Sequence, residues 1–355
     1  MNAFGLGLAG TLAVSLGAIA TYAATTSQPP EIRKPVPVAP RPMPALPPAV
    51  IDDKLAIGGE DINAKKVETR MTVEVALNGR GPYNFVVDSG ADTSAVGLRI
   101  ARQMQMPLAT RTILHAMTES AEVDRVWVDQ LRIGTSTFGR LALPALKEDD
   151  LGGDGMLGID ALVQQRLMMD FEKRTIKVED ARIPVIKYDG EIVITAKRRR
   201  GQLILTEVRA ANLPVDAVID TGSEITIGNI ALRNKLLRNN RDKFVTVAVT
   251  GVTGATMKLQ LAKIGTLRLG SVTLRNVPMA FADVPPFTVF DLNKQPSLLL
   301  GTDVLEVFRR ISLDFRARKV RFQLRRCGST HVTLSTSTGT ATRLSSGENM
   351  EVCRR

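Results

Sequence analysis

Apolar and polar residues alternate along the middle of the chain, and the alternation is repeated. Residues 71–96, MTVEVALNGRGPYNFVVDSGADTSAV, read as two strands separated by a turn at Pro82, the second an apolar run that ends at Asp88. The same pattern returns without a gap at an offset of 132, in 203–228, LILTEVRAANLPVDAVIDTGSEITIG, with Pro214 at the turn and Asp220 at the end of the run. Two later landmarks recur in the same order. Leu131-Arg132-Ile133-Gly134 matches Leu267-Arg268-Leu269-Gly270. Leu157-Gly158-Ile159-Asp160-Ala161-Leu162 matches Leu300-Gly301-Thr302-Asp303-Val304-Leu305, and Asp170-Phe171 then matches Asp314-Phe315. The pattern predicts an internally duplicated, all-β chain built from units of about 115 to 140 residues, each with a short helix after its last landmark.

The ends follow other rules. Ala3 to Ala24 is apolar and uncharged, which fits either a cleaved signal peptide or a retained membrane anchor. Nine of the eighteen prolines fall between Pro29 and Pro48, a composition that favours extended polyproline II and serves as a spacer. Cys327 and Cys353 are the only cysteines and bracket a Ser/Thr-rich tail. A disulfide there suits an exported protein, with two free thiols as the alternative. Arg33 and Lys34 follow the apolar start and by themselves favour a cytoplasmic C-terminal side, but the spacer and the bracketing cysteines outweigh them. The chain therefore divides into a signal peptide or anchor (1–28), a Pro-rich linker (29–65), an N-terminal lobe (66–185), a C-terminal lobe (186–325) and a tail (326–355).

Composition narrows the chemistry. The chain has 355 residues, 44% hydrophobic and 23% charged, as in an ordinary globular protein long enough for two modest domains. Two histidines, two cysteines and no Cys-x-x-Cys pair argue against zinc, iron-sulfur and haem sites. Aromatics are 4% with one tryptophan, Trp127, so stacking platforms for nucleic acid are scarce despite a net charge of +11. That charge belongs to residues 186–325, where 23 basic residues stand against 12 acidic ones. Its densest run, Lys197-Arg198-Arg199-Arg200-Gly201, sits where a hairpin tip is predicted. The run reads as a solvated tip or as a docking point for an anionic envelope surface or acidic substrate.

Each copy carries an apolar strand followed by Asp, a hydroxyl residue and Gly: Asp88-Ser89-Gly90 and Asp220-Thr221-Gly222. If the copies pack around a pseudo-twofold axis, two carboxyls meet and must share a proton, because close like charges cannot both ionise. One then serves as base toward a water and the other as acid toward a carbonyl, which is hydrolysis without metal, cofactor or covalent intermediate. Ser89 and Thr221 would lock the facing loops by hydrogen bonds, and Gly90 and Gly222 permit the tight turn.

A single such triplet is an ordinary turn, whereas two at equivalent positions of a duplicated unit resemble the retropepsin-like aspartic proteases. The resemblance covers about residues 66 to 325 and extends to Met156-Leu157-Gly158 and Leu299-Leu300-Gly301, which match the element that supports the active-site loops. It implies two barrel lobes related by a pseudo-twofold axis, a cleft between them, cleavage of an extended peptide, and catalysis by Asp88 and Asp220. The small lobes favour a fused retroviral-type dimer, hence a monomer. Asp92 matches the family carboxylate that holds substrate backbone, with Glu224 as its counterpart. The arginine that follows the supporting glycine in the viral pattern is replaced by Ile159 and Thr302.

Flaps are expected between each catalytic loop and the next landmark. Thr250 to Ala255 supplies Gly251 and Gly254 for a mobile tip, whereas His115 to Glu122 has no glycine, which predicts a stiffer flap or none. His115 reads as a surface or core histidine, Asp160 and Asp303 as helix caps, Asp170 and Asp314 as turn residues, and Met104, Met106, Met168 and Met169 as core filler. The sequence reading is thus an exported or tethered aspartic endopeptidase acting on a cell-envelope protein. Its rival is a catalytically silent module that binds peptide or envelope polymer. A third version is a peptidase kept latent by the Pro-rich segment or the stretch 51–65.

Overall fold

The computed structural model describes residues 31–39, 60–67, 70–134, 136–162, 165–180, 191–199, 202–237, 244–325, 329–330 and 350–351. The apolar start at Ala3 to Ala24, Cys327 and Cys353, and the tip residues Arg200 and Gly201 lie outside them.

The chain folds as two similar all-β lobes with short helices. In lobe 1 the strands Arg70–Leu77 and Arg80–Val87 pair as a hairpin and lead to Asp88. In lobe 2 Gln202–Ala210 and Leu213–Ile219 do the same and lead to Asp220. The expected turns at Pro82 and Pro214 are shifted: both prolines lie inside the returning strands, and the chain reverses at Asn78-Gly79 and Ala211-Asn212. Asn78, Gly79 and Ala211 have φ of 47°, 75° and 50°, a left-handed conformation that the ring of proline forbids.

The lobes are joined by one antiparallel sheet to which each contributes three strands. Its order is Glu60–Val67, Thr175–Asp180, Gln165–Asp170, then Phe308–Asp314, Lys319–Leu324, Glu191–Arg199. The pseudo-twofold axis passes between Gln165–Asp170 and Phe308–Asp314, where Met168 faces Ser312. Strands Glu60–Val67 and Glu191–Arg199 play equivalent parts, pairing first in this sheet and then with the first strand of the hairpin that leads to Asp88 or Asp220. Lobe 1 thus begins its strands inside the stretch read as linker.

Arg166 donates to Asp314 (Nε to Oδ2, 3.2 Å), a buried ion pair, and the half-buried Arg310 donates to the buried Asp170; both pairs cross the axis. Asp170 and Asp314 also close the turns expected of them, accepting from Lys173 N (2.8 Å) and Ala317 N (2.7 Å). One apolar core runs through both lobes, from Val73 and Phe85 to Phe308 and Phe322, and includes Met106 and Met169. Two smaller clusters lie under the flaps, one around Phe287 and Phe290 in lobe 2 and one around Leu146 and Leu151 in lobe 1.

Candidate active site

Each strand that leads into Asp88 or Asp220 has a parallel partner. Gly155–Leu157 runs beside Arg80–Val87, and Ser297–Leu300 runs beside Leu213–Ile219. The ladder continues one step into the loops, with Asp88 N donating to Leu157 O (2.9 Å) and Asp220 N to Leu300 O (3.0 Å). The supporting elements expected from the sequence thus fix where each apolar run stops and each carboxylate begins.

Beyond that point the two loops hold one another. Ser89 N donates to Thr221 Oγ1 (2.9 Å), whose hydroxyl donates to Val87 O (2.8 Å). Thr221 N donates to Ser89 Oγ (3.2 Å), whose hydroxyl donates to Ile219 O (3.0 Å). The four bonds are reciprocal, so the lobes cannot slide without breaking all of them. Asp88 Oδ1 accepts from Gly90 N (2.7 Å) and Ala91 N (3.1 Å), and Asp220 Oδ1 from Gly222 N (3.1 Å) and Ser223 N (3.0 Å). The glycines serve the opposite lobe as well as their own. A Cβ on Gly90 would stand 2.7 Å from the Asp220 carboxyl carbon, and a Cβ on Gly222 would overlap the Asp88 carboxylate.

Both aspartates are buried, and burial pushes both carboxyls above the usual range. Asp88 is restrained by its two backbone N–H donors and by the nearby Arg70 guanidinium. Asp220 is pushed up further, by burial and then by the charge of Asp88. The pair is therefore arranged to share one proton.

Asp92 and Glu224 flank the dyad, and each accepts a hydrogen bond from the opposite lobe. Gln202 Nε2 reaches Gly90 O (2.9 Å) and Asp92 Oδ1 (3.1 Å), while Arg70 Nε reaches Glu224 Oε1 (3.1 Å). Arg70 also donates to Leu151 O (3.2 Å). The offset of 132 that relates Asp92 to Glu224 also relates Arg70 to Gln202, the residues immediately before the aligned segments. Sequence reasoning missed both, although their common register was there to be found.

Asp160 and Asp303 do more than the capping expected of them. Gly158 and Gly301 hold the N-cap positions, while each aspartate accepts from a first-turn N–H, Ala161 N (2.9 Å) or Val304 N (2.7 Å), and also reaches behind the Asp88 or Asp220 loop. Asp160 Oδ1 accepts from Ser94 Oγ (2.6 Å) and N (3.0 Å). Asp303 accepts from Thr226 Oγ1 (2.6 Å) and N (3.0 Å). The hydroxyls in turn accept from Gly158 N and Gly301 N, each at 3.0 Å. Burial pushes Asp303 up to about 6 and raises Asp160 as well.

Lobe 1 does have a flap, formed by Leu108–His115 and Ser120–Val128. Its tip closes through Ala116 N to Glu119 O (2.9 Å) with no left-handed residue, so glycine is not required. His115 is half-buried with Nδ1 2.7 Å from Ser120 Oγ. The lobe 2 flap, Val245–Thr250 and Thr256–Leu269, turns through Gly254 at φ +83°. The tips meet: Gly251 lies against the Thr118 side chain and Gly254 against the Asp150 carboxylate. Met117 packs on the lobe 2 cluster and Val252 on that of lobe 1, so each tip is seated on the other lobe.

Among the described residues no group of His, Cys, Asp and Glu is arranged to hold a metal ion. Two stretches of the chain, residues 73–161 and 206–304, match the family model described as aspartyl protease. Each contains one half of the Asp88/Asp220 pair. No curated protein matches the chain.

Proposed function

The chain belongs to the aspartyl protease family, and from that premise we propose that it is a single-chain endopeptidase in which Asp88 and Asp220 activate one water against a peptide carbonyl. The observation that carries this reading is the reciprocal loop pair, Ser89 with Thr221, which brings two buried carboxyls together. With the shared proton on Asp220, Asp88 takes a proton from water as the water oxygen attacks the carbonyl carbon. Asp220 gives its proton to the carbonyl oxygen, which yields a neutral tetrahedral diol. The proton now on Asp88 passes to the leaving nitrogen as the C–N bond breaks, and Asp220 recovers a proton from the collapsing diol. The proton count of the pair is restored without covalent attachment to the protein.

An extended peptide would lie between the loops and the flaps, held mainly through its backbone. Asp92 and Glu224 are the side chains in reach of that backbone on the two sides of the dyad, and the Gly251 to Gly254 tip would close over it. One chain supplies both carboxyls, so the active form is a monomer. Export is part of the proposal and rests on the apolar Ala3 to Ala24 stretch, the Pro-rich spacer and the two cysteines; a cell-envelope protein is then the natural substrate. Among the described residues no helix is long and apolar enough to cross a membrane.

Incubating the purified chain with an unbiased peptide library, with and without pepstatin, tests the activity. Internal cleavages that vanish with pepstatin and in Asp220→Asn are expected. A library left intact by the unmodified protein would overturn the peptidase and leave the binding module.

A further inference from the structure

The Pro-rich stretch does more than keep distance. Residues Val36–Val38 form a strand on the lobe 1 flap, antiparallel to Ser120–Val128, with Val36 facing Glu122, Pro37 facing Ala121 and Val38 facing Ser120. One edge of Ser120–Val128 is taken by the other flap strand, Leu108–His115. Strand Leu141–Leu146 covers the second edge only from Arg125 to Val128. Without the added strand, the edge near the flap tip would present unpaired backbone groups, which proteins rarely leave open.

The segment is anchored as well as paired. Ile32 is buried in the main core at 8% exposure. Arg33 makes three bonds to Asp124: N to Oδ2 (2.7 Å), Nε to Oδ2 (3.3 Å) and Nη2 to Oδ1 (3.0 Å). The Asp124 side chain is 1% exposed, and its other cation is Arg111 of the first flap strand, Nε to Oδ1 at 2.8 Å. A buried carboxylate on the flap thus depends on an arginine of the N-terminal segment for much of its compensation. Burial would raise Asp124, and the bonds from Arg33 with the charges of Arg33 and Arg111 more than reverse this, leaving its carboxyl below the usual range. Pro35 and Pro37 restrict the segment to an extended form before it docks, which lowers the ordering cost, and they offer no N–H to a further strand.

The flap that receives this strand is the one whose tip meets Gly251 and packs Met117 on lobe 2. We propose that the outer edge of Ser120–Asp124 is a strand-accepting surface whose resident occupant is Ile32–Val38, and that this occupant holds the lobe 1 flap closed, so that its release opens the cleft to substrate. The effect on turnover rests on the peptidase reading; the seating of the strand does not.

The full chain and its Arg33→Glu variant distinguish these parts. Arg33 has 61% of its side chain exposed, so the change acts at the Asp124 contact and not in the core. Amide exchange across 120–124 should quicken at least tenfold in Arg33→Glu, and kcat/KM on a fluorogenic peptide should rise several-fold. A second variant locks the strand: Val36→Cys with Glu122→Cys joins two facing positions, and its oxidised form should lose at least fivefold in kcat/KM against the reduced form. The unmodified chain, carrying Cys327 and Cys353, is treated identically as the control. Unchanged exchange in Arg33→Glu would overturn the docking. Faster exchange with unchanged or lower kcat/KM, or full activity of the locked form, would overturn the control of the flap. If no form cleaves any peptide, the peptidase reading falls and the exchange result still decides whether the strand is seated.

Discussion

Two residues differ from their neighbours in what a single atom change would do. Asp88→Asn or Asp220→Asn leaves the hydrogen bonds of the loops largely available but removes the ionisable partner from a shared-proton pair. Each substitution should cut kcat/KM by at least about a thousandfold, and the double variant should be scarcely worse, because the pair acts as a unit. On the proposed activity the same coupling should give kcat/KM a bell-shaped pH dependence. Activity should be lost in acid as the second carboxyl takes a proton and lost in base as the shared proton leaves, with the basic limb above the ordinary carboxylate range because burial raises both carboxyls. Asp303 makes a separate prediction. Its folded value of about 6 lies above the ordinary 3.8, so the folded chain keeps a proton that the unfolded chain releases. Its contribution is complete below about pH 4 and is lost as pH rises through about 6, a fall of about 3 kcal/mol at most. Urea midpoints at pH 4 and pH 7 should lie closer together in Asp303→Asn than in the unmodified chain.

At the level of elements, the lobe-joining sheet depends on buried charge. Arg166 and Asp314 are 4% and 2% exposed, and the pair joins Gln165–Asp170 of one lobe to Phe308–Asp314 of the other. Arg166→Ala should cost about 3 to 5 kcal/mol, because it strands a buried carboxylate, whereas Arg166→Met with Asp314→Leu should recover most of the loss. Chemical denaturation of the three proteins checks this, and equal losses in the single and double variants would mean that packing outweighs charge there. The sequence made part of this sheet legible: Asp170-Phe171 and Asp314-Phe315 are repeated landmarks, and Arg166 and Arg310 precede them at the same spacing. That the arginine of one copy serves the aspartate of the other is invisible in either copy alone. The lobe 1 flap shows the limit of turn chemistry. Its missing glycine predicts a stiffer hairpin or none, and the hairpin is present because Ala116 to Glu119 closes without a left-handed residue.

For the whole molecule, duplication within one chain predicts that no second molecule is needed. A mixture of Asp88→Asn and Asp220→Asn proteins should stay inactive, and activity of the unmodified chain should be first order in protein down to high dilution. Recovery on mixing would show that lobes pair between chains. What the sequence determined by itself was the repeat, the strands that end in Asp88 and Asp220, and the small residues around them, because apolar periodicity and turn chemistry are written in neighbouring residues. What only the tertiary structure decided was which distant groups meet. Arg70 with Glu224, Gln202 with Asp92, Arg166 with Asp314 and Arg33 with Asp124 are separated by 154, 110, 148 and 91 residues. Their pairing follows from how the lobes and the N-terminal segment face one another. A polar side chain removed from water must find its partner across that interface, and no local pattern specifies which one it finds.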